Sequence, residues 1–171
     1  MRALSSLLLW TVLSSPVFSL TSPFRAYAIP LSFEQRSATQ FQARLGSEAV
    51  LLQADRISLG PVTLRFAGAS TQARLEGSGV ASPSTYIARA GSRTFPQFSK
   101  VALRHLYPGI DAIVYGNQEH LEYDLIVAPG ASTRVVRLSF DGARQIHLDE
   151  TGDLVVEAGS GTLVQKLSRV F

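Results

Sequence analysis

One short stretch of the chain places acidic residues and a histidine at alternate positions. His120, Glu122 and Asp124 alternate with apolar residues as far as Val127. Because side chains alternate between the two faces of a β-strand, a strand here would carry the three polar residues on one face. Asp111 joins that face if the turn before them holds an even number of residues, and lies on the opposite face otherwise.

This set of side chains, Asp111, His120, Glu122 and Asp124, is the candidate ligand or metal site. Across paired strands such groups come within about 5–7 Å, where they could bind Ca²⁺ or act as an acid and base on a glycoside. Ca²⁺ takes about six to eight oxygen ligands, more than a flat strand face supplies without loops. A solvated sheet face is the simpler interpretation, so Ca²⁺ stays an alternative and no catalytic residue is assigned.

The elements that would position these residues form a hairpin over residues 107–130, YPGIDAIVYGNQEHLEYDLIVAPG. Two apolar, strand-forming runs flank a polar turn at Gly116-Asn117, the typical pattern of a β-hairpin. Pro108-Gly109 and Pro129-Gly130 mark its two ends.

Other strands are predicted from alternating apolar residues over 41–45, 62–66, 99–106 and 133–140, the last with Val136, Leu138 and Phe140 facing the core. Residues 48–54 also favour a strand, and residues 146–156 a second hairpin. Residues 67–84, rich in Gly, Ala and Ser, predict a flexible loop with at most a short edge strand over 73–76. Short strands between Gly and Pro turns predict an all-β fold, mainly an antiparallel β-sandwich, with little or no helix.

The first 28 residues, the leader, have the layout of a secretory signal peptide. A basic start at Met1-Arg2 precedes an apolar run, and Ala26-Tyr27-Ala28 forms an A-x-A cleavage site, with a second candidate cut after Ser19. We therefore expect a signal peptide over 1–28, a single domain over 29–171, and a secreted or cell-surface protein. An uncleaved anchor is the alternative, and it would be the only contact with a membrane.

Charge and composition exclude several classes. Of the 16 Lys and Arg residues two lie in the leader (Arg2 and Arg25), which leaves 14 against 13 acidic residues and a charge of +1. The arginines are scattered and form no basic run, so no nucleic-acid partner is expected. The chain has no cysteine, and therefore no disulfide and no thiolate metal site.

Several phrases resemble a known family: LSFE at 31–34, then YPGIDAIVYGN, LEYDLIVAPGA, VRLSFDGA and GDLVV. They are similar to the N-terminal conserved domain of bacterial exported proteins carrying SBBP (seven-bladed β-propeller) repeats. The likeness covers roughly residues 31–167. The residues of the central phrases that carry it are Tyr107, Pro108, Gly109, Asp111, Tyr115, Gly116, Asn117, Glu122, Tyr123, Asp124, Pro129 and Gly130.

The resemblance implies a domain of unknown function with no catalytic set, placed before a propeller or other β modules. Family members continue well past this point, and Gln35-Arg36-Ser37 departs from the family wording after Glu34. We therefore expect a solitary or truncated copy that serves as a non-catalytic structural or interaction module. Its partners would be other extracellular β modules or cell-surface proteins. The alternatives are a carbohydrate-binding module and a surface-polysaccharide hydrolase that uses Asp111, Glu122 and Asp124.

Overall fold

The computed structural model describes residues 11–14, 17–19, 30–117, 119–159, 161–166 and 169–170. These residues are almost entirely β-strand, and the only helical segment among them is a single 3-10 turn, Thr133–Val135. The strands are β1 Thr11–Ser14, β2 Val17–Ser19, β3 Phe33–Ser37, β4 Gln40–Leu45, β5 Glu48–Gln53, β6 Arg56–Leu59, β7 Val62–Ala67, β8 Arg74–Ala88, β9 Gly91–Tyr107, β10 Ile110–Gly116, β11 His120–Val127, β12 Arg137–Asp141, β13 Ala143–Leu148, β14 Leu154–Ala158, β15 Gly161–Gln165 and β16 Arg169–Val170.

All sixteen strands belong to one hydrogen-bonded sheet. Its order is β12-β7-β6-β5-β4-β3-β9-β10-β11-β2-β15-β14-β13, with β1 between β11 and β16 and with β8 beside β9. The pairings are antiparallel, as at β10–β11 and β6–β7. The predicted all-β, antiparallel fold class is confirmed.

The sheet curls so that its two halves face each other across a common core. Phe66 of β7 packs edge-on against Tyr123 of β11, with ring centroids 5.6 Å apart. A small pocket between the halves is lined by Leu64 of β7, Leu121 of β11 and Leu163 of β15. The two layers of the sandwich are therefore halves of one curled sheet.

Alternation in the sequence explains which side chains enter this core. In β7 the buried residues Val62, Leu64 and Phe66 alternate with half-buried ones, and β11 shows the same pattern. Burial of each large apolar side chain contributes about 1.5–3 kcal/mol. The largest fully buried side chains are Phe33, Phe41, Phe66, Leu45, Leu52, Leu103, Leu106, Ile110, Leu121, Val50, Val101 and Val114.

The strands predicted from strong alternation are confirmed. Residues 41–45 and 62–66 lie in β4 and β7, and β5 covers all but the last residue of the predicted range 48–54. The hairpin predicted over 146–156 is β13–β14. Val136, Leu138 and Phe140 pack against the core as expected, although the strand begins only at Arg137 because residues 133–135 form the 3-10 turn.

The loop predicted for residues 67–84 is found only over residues 68–73, and the prediction is wrong for residues 74–84. β8 begins at Arg74 and continues through Gly77-Ser78-Gly79 to Ala88, paired along most of its length with β9. A neighbouring strand supplies the backbone hydrogen bonds that local composition does not favour, so tertiary pairing overrides propensity here. Gly77 has a specific place in this pairing: a Cβ there would lie 2.5 Å from the Phe98 ring.

Most of the predicted leader lies outside the described residues, including the candidate cleavage site Ala26-Tyr27-Ala28. The two parts that are described, β1 and β2, pair with the outer edge of β11. The described part of the chain contains no helix long and apolar enough to cross a membrane.

Candidate functional site

The register of the central hairpin places the predicted polar residues together. Tyr115 pairs with Glu122, and Asp124 with Ile113. Gly116 pairs with Leu121, so four residues connect the strands and the even register applies. Asp111 therefore lies on the same face as Tyr115, Glu122 and Asp124. We call this half-buried surface, with His120 at its end, the polar face.

The turn of the hairpin is fixed by Asn117. Its side-chain oxygen accepts hydrogen bonds from the backbone N–H groups of Glu119 (2.8 Å) and His120 (2.9 Å). Its own N–H donates to the His120 carbonyl at 2.9 Å. Gly116 has φ 151°, and a Cβ there would lie 2.1 Å from that carbonyl oxygen. The sequence Gly-Asn thus supplies both the space and the hydrogen bonds that the turn needs.

The proline-glycine turns predicted at the ends of the hairpin also meet. The Ala128 N–H donates to the Gly109 carbonyl at 2.8 Å. Gly109 has φ 70°, and a Cβ there would lie 2.8 Å from the Ala131 methyl group. These motif residues build the frame of the hairpin.

Asp111 is held by two groups on β9. Its carboxylate accepts from Arg104 Nη1 at 3.0 Å and from the His105 backbone N–H at 2.8 Å. Arg104 also donates to Glu76 of β8 at 2.8 Å. Hydrogen bonds to Glu76 and then to Asp111 raise the pKa of the Arg104 guanidinium. Asp111 is thus one part of an ion-pair network in which Arg104 of β9 joins Glu76 of β8 to Asp111 of β10.

Asp124 is engaged by the opposite strand. The Tyr115 hydroxyl donates to Asp124 Oδ2 at 2.9 Å. Lys100 Nζ lies 5.5 Å from the centroid of the Tyr115 ring, within the range of a cation–π interaction. His120 Nε2 lies 4.0 Å from the Glu119 carboxylate. Apart from the His120–Glu119 contact at the turn, these contacts join neighbouring strands.

The arrangement does not assemble the predicted ligands around a common point. Asp111 pairs with Ile126 and Asp124 with Ile113, so the two carboxylates are diagonal neighbours with an isoleucine opposite each. Among the described residues, no group of three or more His, Asp or Glu side chains is placed to hold a metal ion. Of the two registers left open by the sequence, the structure has the one that places Asp111 on this face. The geometry gives the Ca²⁺ alternative no support.

A β-bulge beside Asp111 was not predicted from the sequence. Leu103 pairs with Ala112 and Tyr107 with Ile110, so three residues of β9 face Asp111 alone. His105, at the centre of the bulge, has φ 55°, a left-handed conformation that is rare for a non-glycine residue. Strict alternation would put His105 on the same face as Val101 and Leu103, but the bulge interrupts the alternation and His105 is exposed.

His105 lies at the rim of an open depression of about 510 Å³. The depression is lined by the loop of residues 68–72 and by Tyr107, Pro108 and Gly109. Bulges often redirect a side chain at a strand edge. Alternation alone cannot show a bulge, because it depends on the partner strand.

The aromatic residues near the hairpin are mostly core. Tyr107 and Tyr123 are buried, and the Tyr107 hydroxyl donates to the Ala67 carbonyl at 3.0 Å. Burial raises the pKa of both phenols. These two rings stabilise the contact between the layers and are not available to a ligand.

A second charged cluster lies where β3 meets the β8–β9 hairpin. Glu34 is buried, ion-paired with Arg36 at 2.6 Å, and accepts a hydrogen bond from the Tyr86 hydroxyl at 2.9 Å. The Arg36 guanidinium carbon lies 4.5 Å from the centroid of the Phe95 ring, which itself packs edge-on against Tyr86. The bond to Glu34 raises the pKa of the Tyr86 hydroxyl. This cluster attaches the hairpin to the sandwich.

The fold and the polar face define an antiparallel β-sandwich domain in which the central hairpin is held by its turns and by cross-strand ion pairs. A family model described as a domain of unknown function, DUF7948, matches residues 24–171, and the chain belongs to that family. No curated protein and no solved structure shows a significant match.

Proposed function

We propose that this domain is a non-catalytic structural and interaction module that works outside the cytoplasm, similar to the leading domain of SBBP-repeat proteins. The signal-like leader supports export, and the phrases around Tyr107 to Gly130 support the likeness to exported repeat proteins. The exported chain would contact other β modules or cell-surface proteins. The contact surface would be the outer part of the β8–β9 hairpin.

We call that outer part, residues 80–97, the arm, and we propose it as the contact surface. Within the described chain β8 pairs with β9 alone, so its other edge has unused backbone hydrogen-bonding groups. Val80 and Ile87 of β8 are 89% and 86% exposed, and Tyr86 is 53% exposed. A free strand edge with exposed apolar side chains is typical of a surface that accepts a strand from another protein.

The charged clusters support binding over turnover. A glycosidase needs one carboxylic acid that keeps its proton and a second carboxylate across a cleft. Here Asp111 is ion-paired with Arg104, and Asp124 accepts from Tyr115. Both carboxylates are thus engaged in cross-strand contacts within the sheet and do not face each other across a cleft. A hydrolase built on Asp111, Glu122 and Asp124 therefore finds no specific support in this geometry.

The proposal is tested by site-specific cross-linking in the cells that make the protein. A photo-reactive amino acid replaces Ile87 on the arm of the full chain. The matched control carries the same amino acid in place of Val135, which is 43% exposed on another surface. We expect position 87 to cross-link to an exported β-rich protein that mass spectrometry identifies. Position 135 should not form that product. Val80→Thr should reduce the yield at position 87.

Three results would contradict the proposal. Equal labelling at positions 87 and 135 would show that the arm is not a contact surface. Turnover or binding on a glycan panel that is lost in Glu122→Gln and Asp124→Asn would support the hydrolase or carbohydrate-binding alternative. Fractionation of the same cells tests the location, since an unprocessed chain in the cytoplasm would contradict export.

A further inference from the structure

The leader strands β1 and β2 lie along the outer edge of β11. In β1, Thr11 pairs with Val127 and Leu13 with Leu125. In β2, Ser19 pairs with His120. Together the two short strands cover the edge of β11 almost from end to end.

On their other side the same two strands pair with the last strands of the chain. Phe18 of β2 pairs with Gln165 of β15, and Leu13 of β1 with Val170 of β16. The leader therefore forms a middle strand between β11 and the β15–β16 edge. We call this position, between β11 and β15, the slot. Both pairings of β2 are antiparallel, so β11 and β15 run in the same direction, about 10 Å apart.

Cleavage of the leader would leave two facing edges that cannot easily join. Direct pairing of β11 with β15 would need a parallel ladder and a shift of about 5 Å by strands fixed in the core. Gln165 Nε2 already donates to the buried Tyr123 hydroxyl at 3.4 Å, so a side-chain contact spans the slot at its present width. The observed spacing fits one more strand, antiparallel to both edges.

Gln165 gives a further indication of what that strand carries. Its side-chain Oε1 is buried and has no hydrogen-bond partner within the described residues. The residue opposite is Phe18, and a phenylalanine side chain has no donor. A buried acceptor without a partner destabilises the fold, because it has lost its hydrogen bonds to water and gained none. A strand with an amide or hydroxyl donor near this position would remove that cost.

We propose that the slot, once the leader is cleaved, is a strand-acceptor site for an extended segment of an exported partner protein. The segment is uncharged and largely apolar, like residues 11–14 and 17–19, and it places a donor side chain opposite Gln165. It runs antiparallel to β11 and β15, so its backbone bonds both edges. This inference rests on the proposed export of the chain.

The test uses the full chain exported and processed by a bacterial host, with its N-terminus determined by mass spectrometry. The probe is a synthetic peptide of residues 11–19, TVLSSPVFS. We expect the processed protein to bind it one to one and to melt at a higher temperature when it is bound. A control peptide with proline at positions 12 and 18 lacks two backbone donors and should bind at least about tenfold more weakly.

The role of Gln165 is tested with two near-isosteric peptides, Phe18→Asn and Phe18→Leu. A gained hydrogen bond is worth about 1 kcal/mol, so the preference for Asn over Leu should be about fivefold greater in the native protein than in Gln165→Leu. An equal preference in both proteins would overturn the claim that the bound segment places a donor side chain opposite Gln165.

The outcomes separate this inference from the export proposal. A processed, stable monomer that ignores the peptide would overturn the strand-acceptor site and leave export standing. An unprocessed chain in the cytoplasm would overturn both. An exported chain that keeps residues 1–28 would overturn only the strand-acceptor site, because the slot would then be filled permanently by the chain itself. A processed chain that fills the slot with a second copy, seen as a dimer that the peptide cannot dissociate, would overturn the assignment to a different partner.

Discussion

His105 has a backbone conformation that costs an L-residue about 1–2 kcal/mol, while glycine adopts it freely. We therefore expect His105→Gly to be about 1 kcal/mol more stable than His105→Ala, because alanine keeps the strain and loses the same side chain. Urea denaturation followed by far-UV circular dichroism measures the free energy of unfolding of both variants. If the two variants unfold at the same urea concentration, the bulge does not impose this conformation in solution.

Asp111 makes two separable contributions at the same bulge. Asp111→Asn removes the ion pair with Arg104 but keeps an oxygen that can accept from the His105 N–H. Both side chains are partly exposed, so we expect this change to cost about 0.5–1 kcal/mol. Asp111→Ala also removes the acceptor and should cost about 1 kcal/mol more. The free energies of unfolding of the two variants test this order, and equal losses would contradict it.

For single residues, the sequence predicts well which face of a strand a side chain occupies. It predicts poorly which residue that side chain contacts. Alternation correctly assigns Leu121, Tyr123 and Leu125 to the core, because it depends only on the strand itself. It does not show that Asp111 meets Arg104, because that contact depends on the register of β9 and on its bulge. The hydrogen bond from Gln165 to Tyr123, across 42 residues of sequence, likewise has no local signal.

Among the elements, the turn of the central hairpin depends most on a single glycine. A Cβ at Gly116 would lie 2.1 Å from the His120 carbonyl oxygen, whereas at Gly130, with φ 81°, nothing lies within 4 Å. Gly130→Ala should therefore cost only the backbone strain, about 1 kcal/mol. Gly116→Ala must also displace backbone and should cost about 3 kcal/mol or more. Thermal unfolding of both variants measures the difference, and similar melting temperatures would show that the turn can rearrange.

The β13–β14 turn is held by one carboxylate. Asp149 Oδ1 accepts from the Thr151 hydroxyl (2.7 Å), the Thr151 N–H (2.8 Å) and the Asp153 N–H (2.9 Å). These bonds, the Thr151 hydroxyl first, hold the Asp149 pKa below its usual 3.8. A lowered pKa in the folded state means that the stabilisation is present above pH 3.8 and is lost as the pH falls through the folded-state pKa.

We therefore expect Asp149→Asn, which keeps an acceptor but does not titrate, to be less stable than the native chain at pH 7 and equal to it at low pH. Melting temperatures from pH 7 to pH 2 measure how the gap closes. Glu150→Gln, at the exposed neighbouring position, controls for the loss of one negative charge. If the difference in melting temperature stays constant with pH, the ionised Asp149 carboxylate does not accept these hydrogen bonds more strongly than the neutral amide of asparagine does.

Whole strands were predictable where their own residues alternate, and β8 was not. The pattern of β4 and β7 comes from a single buried face, whereas β8 has one buried residue, Leu75, and a long exposed outer part. Its strand conformation comes from pairing with β9 over most of its length. The Gly-, Ala- and Ser-rich composition of residues 67–84 therefore correctly indicates that few of these side chains are buried. It wrongly indicates that they form no long strand.

For the whole molecule, composition and turn spacing predict the class but not the order of the strands. Consecutive hairpins such as β4–β5 and β6–β7 follow from short turns. The pairing of β12 with β7 and of β3 with β9 joins segments far apart in the sequence. Only the packing of the complete core selects those neighbours, so neither the curl of the sheet nor the slot could be foreseen.

The pairing of β7 with β12 has a consequence for how the chain is made. Phe66 and its partner Leu138 are separated by 72 residues. At a synthesis rate of about 5–20 residues per second, the edge of β7 waits about 4–14 s for its neighbour to be added. During that interval a nascent chain has an open apolar strand, so a ribosome that stalls before residue 137 would release a fragment prone to aggregate with its own copies.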